Sequence, residues 1–564
     1  MSARLESEAG CGADRQSYES TVTNTKLVWK VAAASILIVA IFLRLYHLDL
    51  KPLHNDEGVN AYFFVRLFRE NFYQYDPANY HGPTLYYFTL IACSISTLFF
   101  GASGVNTFVI RLVPALFGVA AVYLILKLRD QLGTGAVLAA AALTAVSPGA
   151  TYFSRDYIHE SIFAFLTLGL VVAVTHWYAK NTLGSLLMVA AVAALLFATK
   201  ETAVVSVVVL VLALIATVFF VPRETIVGGE ESPKAMLGEI LTRFRGPSDA
   251  VWSLLGGIVV FLVLTFILFS SFLGNYPRGL HDAVGALKFW VNVGATQQHH
   301  GFSTYIFWLA REEALLLVLG ITGTVVAAVK QQSFAFFAGL WALGLLAVYS
   351  VIPYKTPWLT LNFIIPLAIV AGYTVEVIYR KLYAKRKTAA WIWVLCFLMG
   401  IATSANSAIR LNFYHYDDDH NPYVYVQTQR GFLSLVETIH EIAYRRGSRE
   451  QTSIAIMSPD YWPLPWYLRD YTRTGYYDRI SDINADIVIG SEWQALQLAL
   501  KLGKNYERIG AYPLRPGIVL VVFARRTPGD WSGNDLSRFS GRCIPFRVLW
   551  MPQAQGSLPV GTEV

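Results

Sequence analysis

The sequence predicts an α-helical polytopic membrane protein with a separate α/β domain at its C-terminal end. Three observations predict it. The 564 residues are 55% hydrophobic and only 15% charged, with a mean hydropathy of +0.45, whereas soluble domains carry about 25% charged residues. Apolar runs of bilayer length recur as far as residue 408 and then stop. Beyond that point the pattern changes to short apolar runs bounded by turn residues.

Taking the runs in order, stretches near the about 17–25 residues that cross a bilayer fall at 27–45, 109–127, 135–153, 161–178, 183–199, 202–221, 251–273, 312–329, 333–352, 358–379 and 389–408. The polar first 26 residues lack the order of a secretory signal, so 27–45 reads as a retained first span. Orientation follows from the basic loops. Arg380, Lys381, Lys385, Arg386 and Lys387 form the strongest cluster, and Arg223, Lys234, Arg243 and Arg245 sit in the 222–248 loop. With Lys127 and Arg129, these belong in the cytoplasm by the positive-inside rule. They agree on eleven spans with a cytoplasmic N-terminus, provided that the further run 84–100 lies in the interface instead of crossing.

That count expects a cytoplasmic tail at 1–26, a transmembrane domain at 27–408 and an extracytoplasmic α/β domain at 409–564. The protein is expected in the plasma (inner) membrane, with lipid as its main solvent. Segments 46–108, 154–160, 200–201, 274–311 and 353–357 join the tail on the outer side. Within the tail, Ser453-Ile-Ala-Ile-Met457, Asp486-Ile-Val-Ile489 and Gly517-Ile-Val-Leu-Val-Val-Phe523 read as buried strands, with a helix near 428–446 and a Trp/Pro-rich turn at 459–467. Cys11, Cys93, Cys396 and Cys543 are scattered without ligand-like spacing, so neither a disulfide framework nor a zinc site is expected. The net charge of +7 is modest, and no nucleic-acid partner is expected.

The polar residues gather on the outer face. Leu53-His-Asn-Asp-Glu57 follows the first span and opens an amphipathic stretch. Asp56 and Glu57 have a bland explanation as helix N-terminal caps. Tyr80-His-Gly-Pro-Thr84 opens the interfacial run, with Pro83 suited to a first helical turn and His81 adding a titratable group. Ser154-Arg-Asp-Tyr-Ile-His-Glu160 places Arg155, Asp156, His159 and Glu160 between two apolar helices, where charges usually pair or serve a function. Thr199-Lys-Glu201 makes a tight turn carrying Lys200 and Glu201. Tyr354-Lys-Thr-Pro-Trp358 adds Lys355 and Trp358, which also fit a plain interfacial anchor. His299-His300 does not share a helix face and supports a metal site weakly.

In this order, the motifs resemble the GT-C superfamily of integral-membrane glycosyltransferases, whose members include protein O-mannosyltransferases and the aminoarabinose transferases of lipid A modification. Tyr-His-Gly-Pro-Thr-Leu from residue 80 and Tyr-Lys-Thr-Pro-Trp from residue 354 are similar to a prokaryotic subfamily, the flippase-activity-associated glycosylation proteins. The likeness covers residues 27–408 and reaches the tail at Asn421-Pro-Tyr-Val and Trp462-Pro-Leu-Pro-Trp466.

The resemblance implies a polyprenyl-phosphate-sugar donor and a glycan, lipid or protein acceptor. It implies an acidic catalytic base in the first outer loop, Asp56 with Glu57, and a second acidic residue, Asp156. It implies phosphate binding by basic outer-loop residues, carried over to Arg155, Lys200 and Lys355, with His81, His159, Glu160, Glu201 and Trp358 as further substrate-binding positions. His81 stands where the aminoarabinose transferases have a lysine. Asp56 and Asp156 together could instead hold a divalent cation, Mg or Mn. Two rivals stay open: a lipid-linked glycan flippase, and a non-catalytic membrane partner whose Trp/Tyr-rich 459–477 segment binds glycan or peptide.

Overall fold

The computed structural model describes residues 27–77, 81–221, 244, 246–296, 300–482 and 484–526. The 1–26 tail, Cys11, Cys543, Tyr80, His299 and the loop residues Arg223, Lys234, Arg243 and Arg245 lie outside them. The described chain divides into two compact units. One runs through Thr428 and also takes in Trp462–Trp466; the other holds Gln429–Tyr461 and the residues from Tyr467 onward. The division thus falls beyond the boundary expected at 408.

The first unit is helical. In chain order it contains α1 (Leu27–Leu45), α2 (Asn55–Glu70), α3 (Thr84–Phe100), α4 (Thr107–Leu126), α5 (Thr134–Val146), α6 (Pro148–Ser154), α7 (Glu160–Lys180), α8 (Leu183–Phe197) and α9 (Ala203–Phe220). It continues with α10 (Pro247–Phe269), α11 (Arg278–Thr296), α12 (Thr304–Glu312), α13 (Ala314–Val329), α14 (Ser333–Val351), α15 (Leu361–Lys385) and α16 (Lys387–Ile409). Helix α15 is the hub of the bundle, buried without a break from Leu361 to Val375. Close approach to it depends on small residues. A Cβ on Gly372 would lie 2.3 Å from the Ala136 carbonyl oxygen of α5, and one on Gly323 of α13 would lie 2.1 Å from the Thr374 hydroxyl. Elsewhere the helices turn large apolar side chains outward, including Ile38, Phe219, Trp252 and Met399, each more than 60% exposed. Such a surface suits lipid and would not be stable in water.

Nine described helices are long and apolar enough to cross a membrane, and α3 with its terminal turn is one of them. Its two ends, however, lie at the same end of the bundle. At its start the Thr84 hydroxyl donates to that of Thr199 at 2.8 Å. Past its end, Thr107 accepts from the Trp466 indole at 3.1 Å, and Pro463 packs on Gly58. One turn further, Arg111 pairs with Glu57. A straight helix whose ends share a face does not span, so these contacts argue against a crossing at α3, as the parity of the basic loops does. Setting α3 aside, and counting the shorter Leu183–Phe197 helix and two bent pairs as spans, the described residues offer eleven candidate spans by length and composition.

The bent pairs refine the expected spans 135–153 and 312–329. Helices α5 and α6 meet at 58° and α12 and α13 at 113°. The breaks are tied together: at Glu313 a buried carboxylate oxygen accepts from the Ser147 hydroxyl at 2.6 Å and from the Gly149 amide at 2.9 Å. At the opposite end of the bundle the Arg129 guanidinium covers the Trp29 ring, Gln332 donates to the Gln131 carbonyl, and Arg380 pairs with Glu376. The two ends therefore differ in chemistry, one holding buried acid–base pairs among aromatic side chains, the other the exposed basic residues of the loops.

The second unit carries a five-stranded sheet in the order β2-β1-β3-β5-β4, from strands β1 (Ile454–Ile456), β2 (Thr474–Tyr476), β3 (Ile487–Ser491), β4 (Tyr506–Arg515) and β5 (Ile518–Arg525). β1 runs parallel to β2 and β3, while β5 pairs antiparallel with β3 and β4. Helix α17 (Phe432–Arg445) follows the helical pattern of the sequence, and α18 (Ala495–Leu502) packs Leu498 into the core.

Candidate active site

Helix α2 begins with a capping box. The His54 ring accepts from the Asp56 amide at 3.1 Å, and a Glu57 oxygen accepts from the His54 amide at 2.8 Å. One helical step apart, the two acids then separate. Glu57 turns inward and is fully buried. Its oxygens take the Arg111 Nε and Nη2, both at 2.7 Å, and the Tyr157 amide at 2.6 Å. Arg111 gives its remaining donors to the carbonyls of Leu48, Lys51 and Pro52. Burial alone would raise the Glu57 carboxyl, but the Arg111 charge and hydrogen bonds hold it below the usual range. Glu57 thus caps α2 and fastens the first loop to α4 and to the 155–160 segment.

Asp156 pairs with Lys51, both buried. Burial lifts the Asp156 carboxyl above its usual range, opposed by Lys51 and reinforced by Glu57. Arg155 faces the end of α1, donating to the carbonyls of Leu43, Arg44, Tyr46 and His47. It satisfies carbonyls that a helix C-terminus leaves open. Lys355 does the same for α14, with Nζ 2.9 Å from the Ser350 carbonyl oxygen and 2.5 Å from that of Ile352. Neither side chain is among the residues that line the cavity described below.

The turn after α8 holds the opening of α3. The Gly82 amide donates to the Thr199 carbonyl at 3.2 Å, and a Cβ on Gly82 would stand 2.1 Å from the Ala198 carbonyl oxygen. Only glycine permits this approach. It brings His81 Nδ1 to 2.8 Å from Glu201, which also accepts from the Tyr75 hydroxyl at 2.6 Å. Burial pushes the Glu201 carboxyl up, yet the His81 and Tyr75 contacts hold it below the usual range. Lys200 pairs with Glu160 at 2.5 Å. His159 Nε2 donates to the Gly82 carbonyl at 2.9 Å, and burial, with His81 beside it, pushes the ring's pKa well below its ordinary value.

These segments enclose a cavity of about 240 Å³ whose lining includes Asp56, His81, His159, Glu160, Lys200 and Trp358. Trp290 of α11 joins them, its ring centroid 4.6 Å from that of His81. Asp156 lines a separate small recess with His54, Tyr152 and Trp358. Glu201 stands behind His81. Of the two acids expected to share a divalent cation, Asp56 lines the cavity and Asp156 the recess, where Lys51 pairs with it. Reading the sequence missed Arg111, Lys51, Tyr75 and Trp290. Arg111 carried a usable signal: a lone arginine inside an apolar span requires a partner.

A family model described as dolichyl-phosphate-mannose-protein mannosyltransferase matches residues 81–226. No curated protein matches the sequence. Among solved structures, ArnT from Cupriavidus metallidurans bound to undecaprenyl phosphate is similar with a TM-score of 0.57 at 14% identity, over 88% of this chain and 98% of that one. Its apo state gives 0.57 at 15% identity over the same shares. The archaeal oligosaccharyltransferase AglB from Archaeoglobus fulgidus, in complex with an inhibitory peptide and a dolichol-phosphate, gives 0.52 at 14% identity, over 84% of this chain and 70% of that one. The chain shares its fold with ArnT and with AglB.

Proposed function

We propose that the protein is a membrane glycosyltransferase. It moves a sugar from a polyprenyl-phosphate-linked donor to an acceptor hydroxyl on a glycan, lipid or protein at the extracytoplasmic face of the plasma membrane. The observation that carries this reading is that Asp56 and Lys200 share one cavity, at the end of the bundle that holds the buried acid–base pairs. There a lipid-borne phosphate can enter while its tail stays among the helices' apolar faces. ArnT is bound to undecaprenyl phosphate and AglB to a dolichol-phosphate, which supports the donor class. The elements at Tyr80 and Tyr354 support a place in the flippase-activity-associated subfamily.

The chemistry needs three acts from the chain. The Asp56 carboxylate takes the proton of the acceptor hydroxyl as its oxygen attacks the anomeric carbon. The bond from that carbon to the phosphate oxygen breaks, and polyprenyl phosphate leaves with the electron pair. Lys200, held by Glu160, stabilises the charge that develops on the phosphate. Direct displacement inverts the anomeric carbon, and no step requires a metal.

The test is transfer from a polyprenyl-phosphate sugar by the protein reconstituted in membranes. Asp56→Asn is expected to cut the rate about 10²–10⁴-fold, the contribution of a positioned base. An unchanged rate would overturn the proposal. The second reading, a lipid-linked glycan flippase, draws on the two broken helices, since transporters build their sites at such breaks. Lipid translocation by the purified protein that persists in Asp56→Asn would favour it.

A further inference from the structure

The cavity holds more hydrogen-bonding groups than the transfer step uses, and many are already engaged. The Asn60 amide donates to the Tyr157 carbonyl and accepts from the Tyr86 hydroxyl. His81 meets Glu201, His159 meets the Gly82 carbonyl, and Lys200 meets Glu160. Three of the described lining groups differ. The Trp290 indole Nε1, the Tyr349 hydroxyl and the Thr202 hydroxyl are shut off from solvent, and none meets a hydrogen-bond partner among the described residues. Tyr349 is only 3% exposed, and its hydroxyl and that of Thr202 are neighbours whose alignment falls short of a hydrogen bond. Even a bond between them would leave one hydroxyl hydrogen without an acceptor.

Buried polar groups nearly always have partners, so three such groups around one cavity mark where a ligand bonds. The indole only donates, while each hydroxyl donates and accepts. Whatever displaces water from them must return those hydrogen bonds or lose affinity. A ring bearing hydroxyls returns them, and the rest of the lining suits its CH positions: Trp290, Tyr354 and Trp358 are aromatic, and Ile352 and Leu359 aliphatic. Charge narrows the choice of ring. Lys200 is the one lysine or arginine among the described lining residues; it serves the phosphate, which leaves no cation for a sugar carboxylate. Asp56 acts as base and Glu160 holds Lys200, so neither is left for a sugar ammonium. Size narrows it again. A cavity of about 240 Å³ is smaller than the about 300–1,000 Å³ of sites for drug-sized ligands, which fits one sugar ring and not an oligosaccharide.

We propose that the donor carries a single uncharged sugar, selected by hydrogen bonds from its hydroxyls to Trp290 Nε1, the Tyr349 hydroxyl and the Thr202 hydroxyl. These contacts are non-covalent and are made to the sugar, so they set which donor is used and not whether a polyprenyl phosphate binds. An aminoarabinose donor, whose ring bears an ammonium, is a poor fit on this assignment. The inference rests on the functional reading above and adds to it the class of sugar and the residues that read it.

The experiment is binding of lipid probes to the full-length protein in nanodiscs. All probes share one polyprenyl chain and one phosphodiester, which carries mannose, glucose, galactose, aminoarabinose, glucuronic acid or, as the sugar-free control, a methyl group. The wild type is expected to bind at least one neutral-sugar lipid about tenfold tighter than the methyl control, and tighter than either charged-sugar lipid. Trp290→Phe keeps an aromatic ring and removes the N–H; Tyr349→Phe and Thr202→Val each remove a hydroxyl at nearly constant shape. Each is expected to weaken neutral-sugar binding about three- to tenfold, the worth of one hydrogen bond. Binding of the methyl control should not change, a split that a merely structural role would not produce. Equal weakening of sugar and control lipids, or weakening of neither, would overturn the proposal. So would tightest binding of a charged sugar, or a wild type for which no neutral sugar adds affinity over the control. Each of these leaves the glycosyltransferase reading intact. A wild type that binds no probe, including bare polyprenyl phosphate, would remove that reading, and this inference with it.

Discussion

At Glu57 the protein buries a carboxylate completely, and the cost of that burial sets an expectation for Arg111. A buried ion pair that loses one partner leaves an uncompensated charge, which destabilises by about 3–5 kcal/mol. Arg111→Met should therefore lower the unfolding free energy by about that amount in denaturant titrations of the detergent-solubilised protein. The double variant with Glu57→Leu should recover much of the loss, and full stability in the single variant would show that the pair is not what fastens the loop. The same residues set an acid limit. Glu57 and Glu201 are both held below their ordinary value of 4.5. Their stabilisation is present above about pH 4.5 and is lost as the pH falls through their depressed folded-state values. Acid unfolding curves for Glu201→Gln should accordingly be flatter below pH 4.5 than those of the wild type. At this scale the sequence was only partly legible. The Asp56-Glu57 pair was visible, but which member faces the cavity depends on a capping box and on an arginine 54 residues away in sequence. For Arg155 and Lys355 the charge was legible while its partners, backbone carbonyls of other helices, were not.

Among the elements, the opening of α3 and the turn after α8 form the tightest junction of the site. Gly82 sits against the Ala198 carbonyl, where a methyl group would overlap backbone and not a movable side chain. Gly82→Ala should push the 81–84 segment away from 198–201 and so separate His81 from Glu201. Misplacement of a site by about 1 Å can cost 10²-fold in rate, so the expected outcome is a transfer rate reduced by about that factor. The melting temperature of the solubilised protein should drop as well, because overpacking costs about 1–3 kcal/mol. A variant with unchanged rate and melting point would mean that the junction does not set the position of His81. The Tyr-His-Gly-Pro-Thr motif made the importance of this segment legible, though its partner Thr199-Lys-Glu201 could only be read as a turn. The helix breaks were less visible. Hydropathy averages over a bend, so Ser147-Pro148 disappeared into the run 135–153, whereas Glu312-Glu313 opened the run 312–329 and α12 fell in the segment 274–311 expected outside; the Glu313 link between the two breaks is a tertiary contact.

For the whole molecule, the disputed element is α3, whose length and composition alone would make it a span. Reading it as a crossing would move Asp156 to the opposite side from Asp56, yet Asp156 pairs with Lys51, five residues before Asp56. The sequence points the same way by a different route, the parity of its basic loops, which needs no contact. The tail was half legible: β1, β3 and β5 announce themselves as apolar runs. β2 and β4 do not, because exposed and intermediate positions interrupt them. The topology makes a measurable claim that separates the two readings of α3. Single cysteines placed at exposed Phe72, before α3, and at exposed Ser103, after it, in a chain with the native cysteines replaced, should react with an impermeant maleimide from the same side of sealed membranes. A cysteine at exposed Lys385 should react only from the other side, and by the positive-inside rule that side is the cytoplasm. Opposite-side labelling of positions 72 and 103 would make α3 a span. It would then put Asp156 and Asp56 on different faces of the membrane, and the catalytic cavity described above could not exist as one compartment.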